Sequence, residues 1–100
     1  MLTRDEMITI LREQYPHLAA EYGVKRIGLF GSYARGKPRA TSDVDLVIEF
    51  ERPIGFKFVL LGEYLERLLA RKVDILTPAG IRGIRVRRIA QSIEESIVYV

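Results

Sequence analysis

Two aspartates separated by one valine, Asp43 and Asp45, stand in the otherwise apolar run "SDVDLVIEF". On an extended strand this spacing turns both carboxylates to one face, close enough to repel when ionised. Leaving them unpaired beside a core is costly. A divalent cation removes the conflict, and magnesium favours carboxylate oxygens combined with phosphate oxygens. Asp74, enclosed by Val73 and Ile75 in "KVDIL", also points away from an apolar face and is the third candidate. Three carboxylates converging from neighbouring strands can hold two metal ions roughly 3.5–4 Å apart. One ion would then lower the pKa of an attacking hydroxyl while the other holds a triphosphate and its leaving pyrophosphate.

The segment "LFGSYARGK" supplies the complementary half of that chemistry. Gly31 permits close approach of a phosphate, and the Ser32 hydroxyl with nearby backbone N–H groups can donate to its oxygens. A helix starting here adds a favourably oriented dipole. Arg35 is the best placed of three cations, ahead of Lys37 and Arg39, and Gly36 turns the chain. The sequence contains neither a Walker P-loop nor a GxGxxG dinucleotide pattern.

The elements that must position these groups follow from periodicity. Thr3 and Glu6 form a capping box ahead of Met7, Ile8, Leu11 and Tyr15, which recur at helical spacing and predict a helix over 4–14. Pro16 is expected to end or restart it, and Gly23 to cap the turns that follow. "VKRIGLF" predicts a strand in which Gly28 either admits close backbone approach or weakens the pairing. A second strand is expected over 43–50, and a helix over 56–70 with Leu61, Tyr64, Leu65, Leu68 and Leu69 as its apolar stripe. "KVDIL" predicts a third strand. Thr77–Pro78 opens another helix, carried onward by Val86, Ile89, Ala90, Ile93 and Ile97. The closing "IVYV" reads as a small edge strand. The expected fold class is α+β, a layered α/β arrangement in a single domain over 1–100.

Composition narrows the function classes. The chain has 100 residues, no cysteine and a formal charge of +3. Disulfide scaffolds and thiolate zinc clusters are excluded, and the lack of cysteine agrees with a reducing cytoplasm. The opening "MLTRDEMITIL" interrupts its apolar residues with acidic ones, unlike a signal peptide, and no segment has the length of apolar sequence needed to cross a bilayer. The positive charge favours anionic ligands without naming one. Basic residues gather over 25–39 and 82–88, less continuously than a duplex-binding face requires.

Taken together, "GSYARGKPRATSDVDLVI" resembles the defining motif of the DNA polymerase beta-like nucleotidyltransferase superfamily. The agreement runs through Gly31, Ser32, Arg35, Gly36, Ser42, Asp43 and Asp45, and "KVDIL" matches the separate strand carrying the third aspartate, Asp74. The short chain is similar to the minimal nucleotidyltransferase branch, over nearly its whole length. The resemblance implies a short mixed sheet packed against helices. It also implies Asp43, Asp45 and Asp74 as catalytic metal ligands for two Mg2+ ions, and Gly31, Ser32 and Arg35 as the nucleotide-binding set. Members of this branch are frequently paired with a small helical HEPN toxin, and can move AMP from ATP onto a tyrosine of that partner, neutralising it. Protein adenylylation is therefore the first expectation, with ATP as substrate, a HEPN-family partner, possible homo- or hetero-oligomers, and no membrane association.

Other readings compete residue by residue. Transfer to a small-molecule or RNA hydroxyl is one rival, and a noncatalytic antitoxin that masks its partner is another. For Arg35, a structural salt bridge competes with nucleotide contact. Lys37 and Arg39 read as loop or partner contacts, and Ser42 as a residue orienting the strand. His17 stands alone near a helix boundary, without the second histidine a metal site would need. Tyr15, Tyr22 and Tyr64 read as packing residues, whereas Tyr33 is a candidate nucleotide contact. The Arg82–Arg88 cluster is either a solvated helix face or a surface for an acidic partner or RNA.

Overall fold

The structure is a computed structural model that describes residues 2–37 and 43–100. Arg39 and Ser42 lie outside the described residues. The first helix, α1 (Arg4–Tyr22), starts where Thr3 accepts from the Glu6 backbone N–H at 3.1 Å and the Glu6 carboxylate accepts from the Thr3 N–H at 2.9 Å. This reciprocal pair satisfies two backbone donors that would otherwise be orphaned. The helix ends at Gly23, whose left-handed φ of 66° lets its N–H reach the carbonyls of Leu18 and Ala19.

The expected break at Pro16 does not occur. Pro16 lies inside one continuous helix, although an interior proline removes a hydrogen bond and costs about 3 kcal/mol. Met7, Leu11 and Leu18 are fully buried on both sides of it, and their common packing against the sheet outweighs the local penalty.

Strand β1 (Val24–Phe30) leads directly into the short helix α2 (Gly31–Ala34). Strand β2 (Val44–Phe50) is followed by α3 (Lys57–Leu69), β3 (Val73–Leu76), α4 (Pro78–Arg82), α5 (Arg87–Ser96) and β4 (Val98–Tyr99). Asp43 falls one residue outside the strand expected to begin with it. The single helix read across 78–97 is instead two, interrupted after Arg82 by Gly83 as the cap of α4. Thr77 caps α4 by accepting from the Gly80 N–H at 3.0 Å.

The sheet order is β3-β2-β1-β4. β1 pairs antiparallel with β2 and β4, while β2 and β3 run parallel. Alternation then divides the sheet into two faces. Ile27, Leu29, Val44, Leu46 and Ile48 meet Met7, Leu11 and Leu18 of α1 and Leu61, Leu65 and Leu69 of α3 in the main core. The opposite face carries a smaller cluster of Phe30, Val47 and Ile81, against which Ala90, Ile93 and Ile97 pack. Among the described residues, no helix is long and apolar enough to cross a membrane.

Gly28 resolves in favour of close approach. A Cβ there would strike the Ile97 Cγ2 atom and lie 3.1 Å from the Tyr99 ring. The C-terminal strand can therefore seat against β1 only because this position lacks a side chain. Gly28→Ala should cost about 1–3 kcal/mol through overpacking. Thermal unfolding measures that loss, and amide exchange should show reduced protection at the Val100 N–H, which bonds the Ile27 carbonyl at 2.9 Å.

Candidate active site

The parallel ladder between β2 and β3 places Asp45 directly beside Asp74. Across the other edge of β2, Phe30 is the antiparallel partner of Asp45. Neighbouring strands lie about 4.8 Å apart, so the two carboxylates leave the same sheet face as close neighbours. Asp43 precedes β2, where the Val44 N–H donates to the Lys72 carbonyl at 2.8 Å and fixes the start of both strands. Asp43 and Asp74 are exposed, and Asp45 is half-buried.

Asp45 is the electrostatic centre of this group. Its pKa is raised above the ordinary aspartate value, first by burial, then by the negative charges of Asp74 and Asp43; the Arg35 guanidinium acts in the opposite direction. The structure thus brings Asp43, Asp74 and Arg35 within electrostatic reach of Asp45, although the whole of α3 intervenes in sequence between Asp45 and Asp74.

Gly31 completes the contact. Its φ is 74°, in the left-handed region that disfavours other residues, and a Cβ there would collide with the Asp45 Oδ2 atom. The chain therefore turns from β1 into α2 with the glycine backbone against the Asp45 carboxylate. Ser32, half-buried, is the second residue of α2, and no side chain caps the first turn of that helix. At the other end, the Arg35 N–H bonds the Gly31 carbonyl at 3.2 Å and the Lys37 N–H bonds the Ser32 carbonyl at 3.0 Å. Gly36, with φ of 70°, reverses the chain beyond Arg35.

Tyr33 departs from the reading as a nucleotide contact. It is fully buried in the main core, with its hydroxyl unpartnered among the described residues. The one-turn geometry of α2 explains this: Ser32 and Tyr33 project in different directions, and the aromatic ring takes the apolar side. Arg4, which sequence reasoning did not single out, donates to the Ala34 carbonyl at 3.3 Å and ties α1 to the end of α2. Nothing local in sequence signals a bond spanning 30 residues. His17 packs against the rings of Tyr22 and Tyr64, with centroids 6.1 and 5.3 Å away.

The donor set fits a hard divalent cation. Asp45 and its neighbours present carboxylate oxygens whose charges oppose one another, the condition a cation relieves. Among the described residues, no three acidic or histidine side chains form a preformed cation cage. Magnesium commonly completes its shell with waters and substrate phosphates, for which the exposed sides of Asp43 and Asp74 leave access.

Comparison with known proteins agrees with this geometry. The nucleotidyltransferase domain family matches residues 4–100. The chain belongs to that family. A protein adenylyltransferase MntA from Thermococcus cleftensis is 40% identical over 101 residues, spanning 100% of this chain and 98% of that relative. A solved minimal nucleotidyltransferase superposes with a TM-score of 0.72 at 31% identity, covering 97% of this chain and 95% of the other. A toxin–antitoxin structure containing AMP-PNP shares the fold at a TM-score of 0.62 and 22% identity, covering 98% of this chain and 72% of that one. The α+β class expected from the sequence is the fold of these nucleotidyltransferases, and the protein is a nucleotidyltransferase.

The raised pKa of Asp45 has a consequence for stability. Folding raises its proton affinity above that of the unfolded chain. Its contribution is therefore favourable below the unfolded value and is lost as pH rises through the higher folded value. In metal-free buffer at neutral pH, Asp45→Asn should raise Tm by about 1–4 °C, a range reduced for solvent screening. The gain should shrink as pH falls through the carboxylate range. Calorimetry against pH checks both the sign and the window, and added Mg2+ should stabilise the native protein more than the variant.

Proposed function

We propose that the protein moves AMP from ATP to a tyrosine hydroxyl of a small helical HEPN-family toxin in the cytoplasm, acting as its antitoxin. The observation that carries this reading is the lateral pairing of Asp45 and Asp74 against the bare backbone of Gly31. Support for the acceptor class comes from a relative named for protein adenylylation that aligns over the whole chain.

In this reading Gly31, Ser32 and Arg35 bind the triphosphate. The uncapped first turn of α2 directs backbone donors toward phosphate oxygens, and Arg35 adds positive charge beside Asp45. Asp43, Asp45 and Asp74 would hold two Mg2+ ions. When bound, magnesium supplies charge neutralisation at the triphosphate and acidifies the acceptor hydroxyl.

The reaction is an in-line displacement. The tyrosine oxygen forms a bond to the α-phosphorus as the bond from that phosphorus to the bridging oxygen of the β-phosphate breaks. Pyrophosphate leaves, and the hydroxyl proton passes to Asp74 and then to solvent. Asp74 is exposed and pairs laterally with Asp45, so it can hand that proton on to solvent. The chain's contribution is chiefly orientation and opposed charge, the two effects on which phosphoryl-type transfers depend most.

Co-incubation with the cognate HEPN toxin, Mg2+ and each nucleotide in turn should give ATP-dependent mass gains of whole AMP groups, mapped to tyrosine. Asp45→Asn should keep the fold but lower the transfer rate by about 100-fold or more. Wild-type transfer by that variant would refute the role of Asp45. Equal toxin inhibition by wild type and the Asp43→Asn/Asp45→Asn double variant, with no added mass, would establish masking instead.

A further inference from the structure

Helix α2 is a single turn, too short to hold its shape by itself, yet it carries Ser32 and ends at Arg35. Its C-terminal hydrogen bonds are nearly closed. The Gly36 N–H bonds the Tyr33 carbonyl at 3.1 Å and the Lys37 N–H bonds the Ser32 carbonyl at 3.0 Å, with Gly36 in the left-handed region. This is the pairing by which a glycine ends a helix, and among the described residues it leaves the carbonyl of Ala34 without a backbone donor. Four residues beyond Ala34 stands Pro38, which has no N–H to give. Ala34 is buried, so an unpaired carbonyl there would be costly. Arg4 supplies the missing donor from the start of α1. Its Nη1 bonds the Ala34 oxygen at 3.3 Å, while its Nε lies 3.6 Å from the exposed Asp5 carboxylate. The capping box holds the first turn of α1, so the base of the Arg4 side chain is fixed.

We infer that Arg4 is a positioning residue of the nucleotide site: by holding the Ala34 carbonyl it sets the heading with which Arg35 leaves the backbone. The inference rests on the reading of Arg35 as a phosphate-binding group. The Ala34 carbonyl and the Arg35 N–H belong to one planar peptide unit. Arg4 holds that unit by its oxygen, and the Gly31 carbonyl holds it by its N–H at 3.2 Å. With both edges held, the plane resists rotation, which fixes φ at Arg35, −79°, and with it the direction of the side chain. The bond from Arg4 is charge-assisted and therefore stronger than one from a neutral donor. The Tyr33 ring, fully buried in the main core, anchors the same turn from its apolar side. Arg35 itself is exposed and makes no salt bridge among the described residues, so its aim depends on its backbone. A triphosphate gains most from a cation that is already oriented before the ligand arrives.

Calorimetric titration of the full chain with ATP in Mg2+ buffer tests this without any acceptor protein. Arg4→Met keeps the stem but removes the donor, and should raise the Kd for ATP about fivefold or more. Arg4→Lys, which restores a charged donor, should recover most of that loss. The same change is then made beside Arg35→Met, completing a double-mutant cycle. In that background Arg4→Met should alter the Kd by less than about twofold, because the residue it aims is gone. An undiminished effect there would mark a long-range charge acting on ATP directly, and overturns the inference. Tyr64→Phe removes a comparable tie, the bond from the Tyr64 hydroxyl to Gln14 that joins α3 to α1, and should lower Tm with the Kd unchanged. Equal weakening of ATP binding by Tyr64→Phe would show a general loss of rigidity and overturns the inference as well. An unchanged Kd in Arg4→Met beside a raised Kd in Arg35→Met refutes this inference alone. An unchanged Kd in Arg35→Met refutes the nucleotide role of Arg35 and this inference with it.

Discussion

Mutual repulsion between Asp45 and Asp74 is the constraint around which the sheet is organised. Parallel pairing of β2 and β3 sets the two residues side by side, and the backbone of Gly31 closes against the first of them. The ladder that fixes their backbones side by side also carries Val44, Leu46 and Ile48 into the core. The energy of apolar burial on one face thus holds like charges together on the other. This is the arrangement expected of a site whose complement is a cation and a phosphate.

The two sides of the sheet contribute unequally. Helices α1 and α3 bury leucine and methionine side chains completely, so that face is a dense scaffold in which a lost side chain would leave a cavity. On the other face the cluster of Phe30, Val47 and Ile81 is small, and α5 is only partly packed. Rigid support therefore lies behind the aspartates, while a thin, arginine-bearing layer lies beside them. The proposed transfer would use that division, with the dense face fixing the acidic cluster in place.

Backbone chemistry does as much as side-chain chemistry. Gly31 and Gly28 both stand where another chain segment passes too close for a Cβ, but for different reasons. At Gly31 the neighbour is a carboxylate and the backbone is left-handed; at Gly28 it is the apolar C-terminal segment. The same β1 strand thereby joins the acidic cluster at its end to the closing strand β4 along its edge. Arg4 adds a further tie by bonding α2 from the first turn of α1.

The sequence by itself determined the local parts: the Thr3–Glu6 capping box, the β2 alternation, the leucine stripe of α3 and the glycine–serine turn. Each depends on neighbours within a few residues, where periodicity and hydrogen-bonding capacity leave few alternatives. The types and spacing of Asp43 and Asp45, and their resemblance to a nucleotidyltransferase motif, were also legible there. Tertiary structure decided the rest. It carried α1 through Pro16 because burial of Leu18 outweighs a missing backbone bond, and turned Tyr33 inward because the apolar side of α2 meets the core. It alone decided that Asp74 stands beside Asp45, since strand order and register are set by packing of the whole sheet and by no property of "KVDIL" taken alone.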